Sequence, residues 1–206
     1  MDNTKKILLL TVVLVATILS ATPFLLAEDA EAADGYTEGQ RIEFDSKEYA
    51  VVTHADTRKY TNATLPSSHI YIASPTIGNG AFEGCTMLYE VLTDDCVKHV
   101  GNSAFKGCES LYRFQGYKTE TVGDYAFQGC DGTSFSFGVG LKSIGKYCFA
   151  DCTRCYEFTD YTPNLTYIPE GAFGNTLLEY IDMRTDPPRP GGGISQTTVI
   201  RIYSRV

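Results

Sequence analysis

Cysteine is the residue type with the most chemistry to offer in this chain, and its spacing is weighed first. Seven cysteines stand at positions 85, 96, 108, 130, 148, 152 and 155. The cluster of Cys148, Cys152 and Cys155 has spacing that could hold zinc, but no matching His or fourth Cys stands near it. Cys85, Cys108, Cys130 and Cys152 instead recur at steps of 23, 22 and 22 residues. One thiol per step predicts a ladder of buried, reduced side chains. Free Cys packs as a small hydrophobe, and stacked parallel side chains rarely offer the Cβ vectors a disulfide needs. Cys148 and Cys155 replace an Ala and a Leu of the same pattern and fit the core as well. His54, His69 and His99 are scattered, with no repeating carboxylate or nucleophile beside them. The adjacent acids Asp94-Asp95 and Glu28-Asp29 read as a turn and a leader rather than a catalytic or calcium pair. The chain carries no Gly-x-Ser-x-Gly, no His-Glu-x-x-His and no phosphate loop. The expectation is a protein that is not an enzyme and uses neither metal nor cofactor.

The elements that position these residues follow from a repeat. Val100-Gly101-Asn102-Ser103-Ala104-Phe105-Lys106-Gly107-Cys108-Glu109-Ser110-Leu111 restates Ile77-Gly78-Asn79-Gly80-Ala81-Phe82-Glu83-Gly84-Cys85-Thr86-Met87-Leu88. The copies at Val122 to Cys130 and Ile144 to Cys152 follow, and a frayed one spans Ile168 to Asn175. The recurrent Phe82, Phe105, Phe127, Phe149 and Phe173 are separated by 23, 22, 22 and 24 residues. Each copy continues into a short β-prone run: Leu88 to Thr93, Leu111 to Gln115, Phe135 to Val139, Tyr156 to Thr159 and Leu178 to Met183. A second, very short extended piece precedes the first Gly, as in Lys98 to Val100 and Lys142 to Ile144. One copy cannot bury its apolar face, but stacked copies share one core. The period lies in the leucine-rich-repeat window, and the reading is a β-rich solenoid of about five coils of 22–24 residues. In each coil the Ala and Phe point inward, together with the Cys. The first Gly is expected to supply a backbone angle that turns the chain, and the Gly before Cys to turn it again.

The string apolar-Gly-x-x-Ala-Phe-x-Gly-Cys-x-x-Leu closely resembles the BspA-like class of leucine-rich repeats. The resemblance covers residues 67–190, most of the chain beyond its leader. It implies a right-handed, curved array on secreted or surface proteins, used to bind other macromolecules, and a β-hairpin at its N-terminal end. It implies no particular ligand.

Composition agrees with a packed domain. The 206 residues are 43% hydrophobic, with 14 Tyr and 11 Phe, and the net charge of −8 speaks against a nucleic-acid partner. Residues 1–32 read as an export signal: Lys5 and Lys6, an apolar run from Ile7 to Ala27, then Ala30-Glu31-Ala32 as a cleavage site. That run is 21 residues, long enough to span a bilayer if it is retained as an anchor, although Pro23 interrupts it. Either way the body of the protein lies outside the cytoplasm, and membrane contact is expected only through this segment. Residues 33–66 are assigned to an N-terminal β cap, with strands in Gln40 to Phe44 and Glu48 to Thr53 joined by a turn at Asp45-Ser46-Lys47. Ile70-Tyr71-Ile72 reads as the strand of an incomplete leading coil, and residues 191–206 as a closing strand or tail.

Alternation along the longer strands then names a surface. With the repeat Leu at position one, position three holds Glu90, Arg113, Ser136, Glu157 and Tyr180. Position five holds Leu92, Gln115, Gly138, Thr159 and Asp182, and position seven Asp94, Tyr117, Gly140, Tyr161 and Arg184. These are expected to line the concave face, with Glu90, Arg113, Gln115, Tyr117, Glu157, Thr159, Tyr161, Tyr180, Asp182 and Arg184 as the binding residues. Tyr and Arg are the types enriched at interaction hot spots. Position two carries Tyr89, Tyr112, Phe135 and Tyr156, an aromatic ladder read as packing between coils rather than a ligand platform. Asn62-Ala63-Thr64 and Asn164-Leu165-Thr166 are sequons that matter only in a host that glycosylates its exports. The functional expectation is a secreted or cell-surface module that binds a protein or surface glycan through its concave face, in adhesion for example. The alternative is a structural envelope component that self-associates through its repeats.

Overall fold

The computed structural model describes residues 35–132, 134–155, 157–159, 164–178, 180–184 and 197–201. The expected export segment lies outside them. Strands β1 (Arg41–Phe44) and β2 (Lys47–Val52) form an antiparallel hairpin. Its turn residues Asp45 and Ser46 have φ of 50° and 62°, the left-handed pair that matches strand twist in a two-residue hairpin. Then β3 (His69–Ile72), β5 (Glu90–Thr93), β7 (Arg113–Gly116), β9 (Ser134–Phe137) and β11 (Glu157–Thr159) alternate with the two-residue strands β4 (Thr76–Ile77), β6 (His99–Val100), β8 (Thr121–Val122) and β10 (Ser143–Ile144). The longer strands and the hairpin make a seven-stranded sheet in the order β1-β2-β3-β5-β7-β9-β11, parallel from β2 onward. The short strands make a parallel four-stranded sheet. The result is a β-solenoid of about four turns, with no helix among the described residues. This is fewer than the five coils counted from the motif.

The core between the two sheets is a set of ladders. Phe82, Phe105, Phe127, Phe149 and Phe173 are buried and stack with centroids 5.1–5.2 Å apart and planes within 8°. Tyr60 heads the same stack, 4.9 Å from Phe82 and tilted by 9°. The stretch before β3 is therefore built like a coil, with Tyr in the place of Phe; that substitution hides it from the motif. Cys85, Cys108, Cys130 and Cys152 are buried, and each thiol donates to a carbonyl one coil back: Tyr60 O at 3.4 Å, Phe82 O at 3.0 Å, Phe105 O at 3.0 Å and Phe127 O at 3.1 Å. Small size and a weak donor are what the position requires.

Three expectations from the repeat are corrected. First, the Gly that opens each copy does not have positive φ. It is demanded by the close approach of the preceding coil's backbone, whose atoms lie 2.3–2.7 Å from where a Cβ would stand at Gly78, Gly101, Gly123 and Gly145. The Gly before Cys is the one that turns the chain: Gly84, Gly107 and Gly129 have φ of 70–73°, and Asp151 and Asn175 hold the equivalent place at 59° and 54°, as short polar side chains can.

Second, the register of one coil shifts. Phe135 stands opposite Phe114, and Phe137 opposite Gly116. The separation from the repeat Phe to the strand's central residue drops from nine, in Phe105 to Phe114, to eight, in Phe127 to Phe135. Ser134, not Ser136, therefore joins the row of Arg113 and Glu157, and Ser136 moves to the row of Gln115 and Thr159. Phe135 is a core residue and has no place in a surface aromatic ladder. Both Phe135 and Phe137 are fully buried, and two large apolar groups on one strand decide its register.

Third, the strand of the last copy leaves the long sheet, although Phe173 stays in the ring stack. Tyr180–Arg184 (β12) pairs antiparallel with Thr197–Arg201 (β13) in a separate two-stranded sheet. Tyr180, Asp182 and Arg184 thus do not extend the row of Glu90, Arg113 and Glu157.

Candidate functional site

The outer face of the long sheet is built by parallel pairing in register. Tyr71, Leu92, Gln115, Ser136 and Thr159 fall into one row, and His69, Glu90, Arg113, Ser134 and Glu157 into the next. Ala50 opposes Ile70, so the residue before Ala50, Tyr49, leads the row of His69.

Glu90 is the centre of that row, and it is buried rather than displayed. Its side chain is only 1% exposed. Lys47 Nζ donates to Glu90 Oε2 at 2.8 Å, and Arg113 Nη1 donates to Oε1 at 3.2 Å. His69 Nε2 lies 3.8 Å from Oε2. Burial pushes the Glu90 carboxyl up, but hydrogen bonds from Lys47 and Tyr49 and the Lys47 and Arg113 charges more than offset it, holding it below its ordinary 4.5. The same burial, with the Glu90 charge and hydrogen bond, pushes the Tyr49 phenol up to about 12. A carboxyl depressed by folding contributes stability above its unfolded value, and that contribution is lost as pH falls through the folded value. Wild-type protein is therefore expected to lose thermal stability below the ordinary Glu range, and Glu90→Gln to show a flatter profile there. Parallel melting curves of the two proteins between neutral and acidic pH check this; superimposable acid profiles would contradict it.

From Arg113 the network continues sideways. The Gln115 amide lies 2.9 Å from the Tyr117 hydroxyl; turned so that its oxygen faces Arg113, it accepts from both groups. Lys47, Glu90, Arg113, Gln115 and Tyr117 are thus one connected polar chain across three strands and the loop after β7. In the parallel row the Tyr71 hydroxyl donates to Asp94 Oδ2 at 2.5 Å, and burial followed by this bond raises its phenol well above the ordinary value. Tyr36 packs on the Tyr71 ring at 5.5 Å. Along the border, Tyr49, His69, Tyr89 and Tyr112 touch in sequence, with Tyr89 and Tyr112 stacked at 5.4 Å and 7°. Tyr89, Tyr112 and Tyr117 are exposed.

Of the residues named from sequence, Glu90, Arg113, Gln115 and Tyr117 come together. Glu157 and Thr159 lie on β11 in the same two rows. Tyr161 and Tyr156 fall outside the described residues. Sequence reasoning missed Lys47, Tyr49, His69 and Tyr71. The outward parity of His69 and Tyr71 was readable from Ile70-Tyr71-Ile72, but nothing local announces that β2 pairs parallel with β3.

A second ladder on the short-sheet side was also missed. Asn79, Asn102 and Asp124 each accept, through Oδ1, the backbone N–H one coil ahead, from Asn102, Asp124 and Lys146 at 2.8–2.9 Å. Beside it Tyr125 and Tyr147 stack at 5.4 Å with φ of 58° and 54°, and Lys106 Nζ sits 5.5 Å from the Tyr125 ring. Both sequon asparagines are engaged: Asn62 Nδ2 donates to Thr86 Oγ1 at 2.9 Å and Asn164 Nδ2 to Val139 O at 2.7 Å. Burial, with the neighbouring Cys108, pushes the Cys85 thiol up to about 12, and burial raises Cys130, Cys148 and Cys152 as well, so these thiols are poor nucleophiles. Among the described residues no three His, Cys, Asp or Glu side chains are placed to hold a metal ion.

Parallel in-register coils with a Phe stack and a Cys ladder are what a repeat-family comparison can test. A family model described as the BspA type leucine rich repeat region matches residues 75–187 in six copies. The chain belongs to this family. The six copies exceed the five that the motif alone reveals. Among solved structures, a leucine-rich repeat protein from Bacteroides ovatus is similar at 25% identity, covering 66% of this chain and 35% of that one, with a TM-score of 0.49. The chain thus spans about a third of that protein's length. No curated protein matches the chain. The BspA-type repeat accounts for the stack, the ladder and the solenoid.

Proposed function

We propose that this BspA-type repeat protein is an exported binding module that recognises a macromolecule, most simply a protein, through the outer face of its long sheet. The observation that carries the reading is the polar chain from Lys47 to Tyr117, bordered by exposed Tyr89 and Tyr112. Arg and Tyr held by neighbours lose little entropy when they bind. Export is supported by residues 1–32 and by the common occurrence of the family on secreted and surface proteins. Binding without catalysis suits a surface whose histidines and carboxylates are tied into structural pairs. Adhesion to a neighbouring cell is the role that joins export to such a face.

The test immobilises the full chain and exposes it to surface-protein extracts of cells that the producing cell meets. Saturable capture is expected, falling by at least about tenfold in Tyr112→Ala/Tyr117→Ala with an unchanged melting curve. Capture that ignores this pair would remove the face from consideration. Concentration-dependent assembly of the purified chain without a partner would favour an envelope scaffold instead. N-terminal sequencing of the exported product separates a released module, starting near Ala33, from an anchored one that keeps Met1 or Asp2.

A further inference from the structure

We propose that Lys47, His69 and Arg113, gathered around Glu90, form an anion site that takes a carboxylate side chain from an acidic polypeptide segment. The proposal names the partner chemistry of the face described above and rests on that reading. The chain as a whole carries a charge of −8, so a cationic cluster runs against its composition. The arrangement is layered. The Glu90 side chain is 1% exposed, whereas those of Lys47, Arg113 and His69 are 49%, 36% and 29% exposed. An approaching partner therefore meets the Lys47 and Arg113 charges and the His69 ring, while the carboxylate beneath fixes where they stand. The lysine ammonium has three donors and the guanidinium five, more than the two oxygens of Glu90 and the one of Gln115 take up. Of the nearby acids, Asp94 Oδ2 accepts from Tyr71 in the next row, and Asp45 sits at the hairpin turn, close enough to act on Tyr49.

The neighbouring rings decide between a polypeptide and a sulfated glycan. Sugars stack on free aromatic faces, but Tyr89 lies between His69 at 5.5 Å and Tyr112 at 5.4 Å. Tyr112 stacks on one face at 7° and the His69 ring leans on the other at 40°, so mainly an edge and a hydroxyl are left for contact. Edges and hydroxyls suit peptide amides and side chains. The buried Leu92 and Gln115 extend the floor beside the site.

The probe is fluorescein-labelled poly-L-glutamate, titrated with the full chain and read by anisotropy at about 50 and about 300 mM salt. Saturable binding that weakens with salt is expected, together with a loss of at least about tenfold in Lys47→Gln/Arg113→Gln. That pair strands the Glu90 charge, so the triple variant with Glu90→Gln is made as well; it is expected to melt above the Lys47→Gln/Arg113→Gln pair and still show the loss. Lys142→Gln, just before β10 of the other sheet, should bind as wild type does. No binding by wild type, or equal binding by the triple variant, would overturn the proposal. Heparin binding that is tighter than poly-L-glutamate binding and lost in the triple variant would assign the site to a sulfated glycan and overturn it too. If poly-L-glutamate fails while the Tyr112/Tyr117 pair still abolishes capture, only the anion site falls; if both fail, so does the face.

Discussion

Phe127→Ala is expected to lower the unfolding free energy by about 3–5 kcal/mol, read as a fall in the denaturant midpoint at unchanged slope. Phe127 lies between Phe105 at 5.1 Å and Phe149 at 5.2 Å, with planes within 5°, and meets the edges of Phe114 at 4.9 Å and Phe135 at 5.2 Å. Parallel offset rings and edge-on neighbours are the two favourable aromatic geometries, and one side chain makes both. Truncation leaves a void lined by rigid rings, which cannot collapse to fill it. It also weakens the interface between neighbouring coils, the term on which a repeat array depends. Phe173→Ala should cost less, because the described residues give Phe173 only Phe149 and Phe158 as ring partners. A loss below about 1 kcal/mol at Phe127, the average for any substitution, would mean that the stack does not hold the coils together.

Gly123→Ala is the second large effect, and its interest is the contrast with Gly129→Asn. A Cβ at Gly123 would lie 2.4 Å from Asn102 Oδ1, 2.6 Å from Asn102 N and 2.7 Å from Gly101 C. Most of these are backbone atoms, so the coils themselves must part. Parting them threatens the bonds from Gly123 N to Val100 O at 2.8 Å and from Asp124 N to Asn102 Oδ1 at 2.9 Å. Overpacking by one methyl group with two weakened hydrogen bonds predicts a loss of about 3 kcal/mol. At Gly129 the nearest atom is Gly107 Cα at 3.9 Å, and φ is +70°. The cost there is only the left-handed conformation, about 1 kcal/mol or less for Asn, since Asp151 and Asn175 already hold that place. Matched melting curves of the two variants check the distinction, and equal losses would refute it.

That contrast shows what a repeat conceals. In the motif both glycines are recurrent features of one string, and a turning role was the natural reading of each. The first in fact answers to the neighbouring coil, a partner about one period away. The same limit explains the coil that slips. Counting forward from Cys130 places Phe135 outside the core, and only the pairing of β9 with β7 shows that the strand starts a residue early. Tyr60 was hidden for a different reason: a tyrosine fills the phenylalanine position without matching the letter.

The face that carries the functional reading divides in the same way. Glu90, Arg113, Gln115 and Tyr117 are legible from alternation along two strands. Their connection into one chain, the burial of Glu90 and the presence of Lys47 and His69 beside it are not legible, because those contacts join residues 21 to 43 positions apart through parallel pairing. Sequence by itself determined the period, the inward Phe and Cys ladders and the solenoid, because a repeated apolar pattern has one economical way to bury itself. The tertiary structure alone decided which outward residues meet and which of them water can reach. The departure of the last copy's strand from the long sheet is decided there too. Register and burial are properties of neighbouring coils, and no single coil encodes its neighbour.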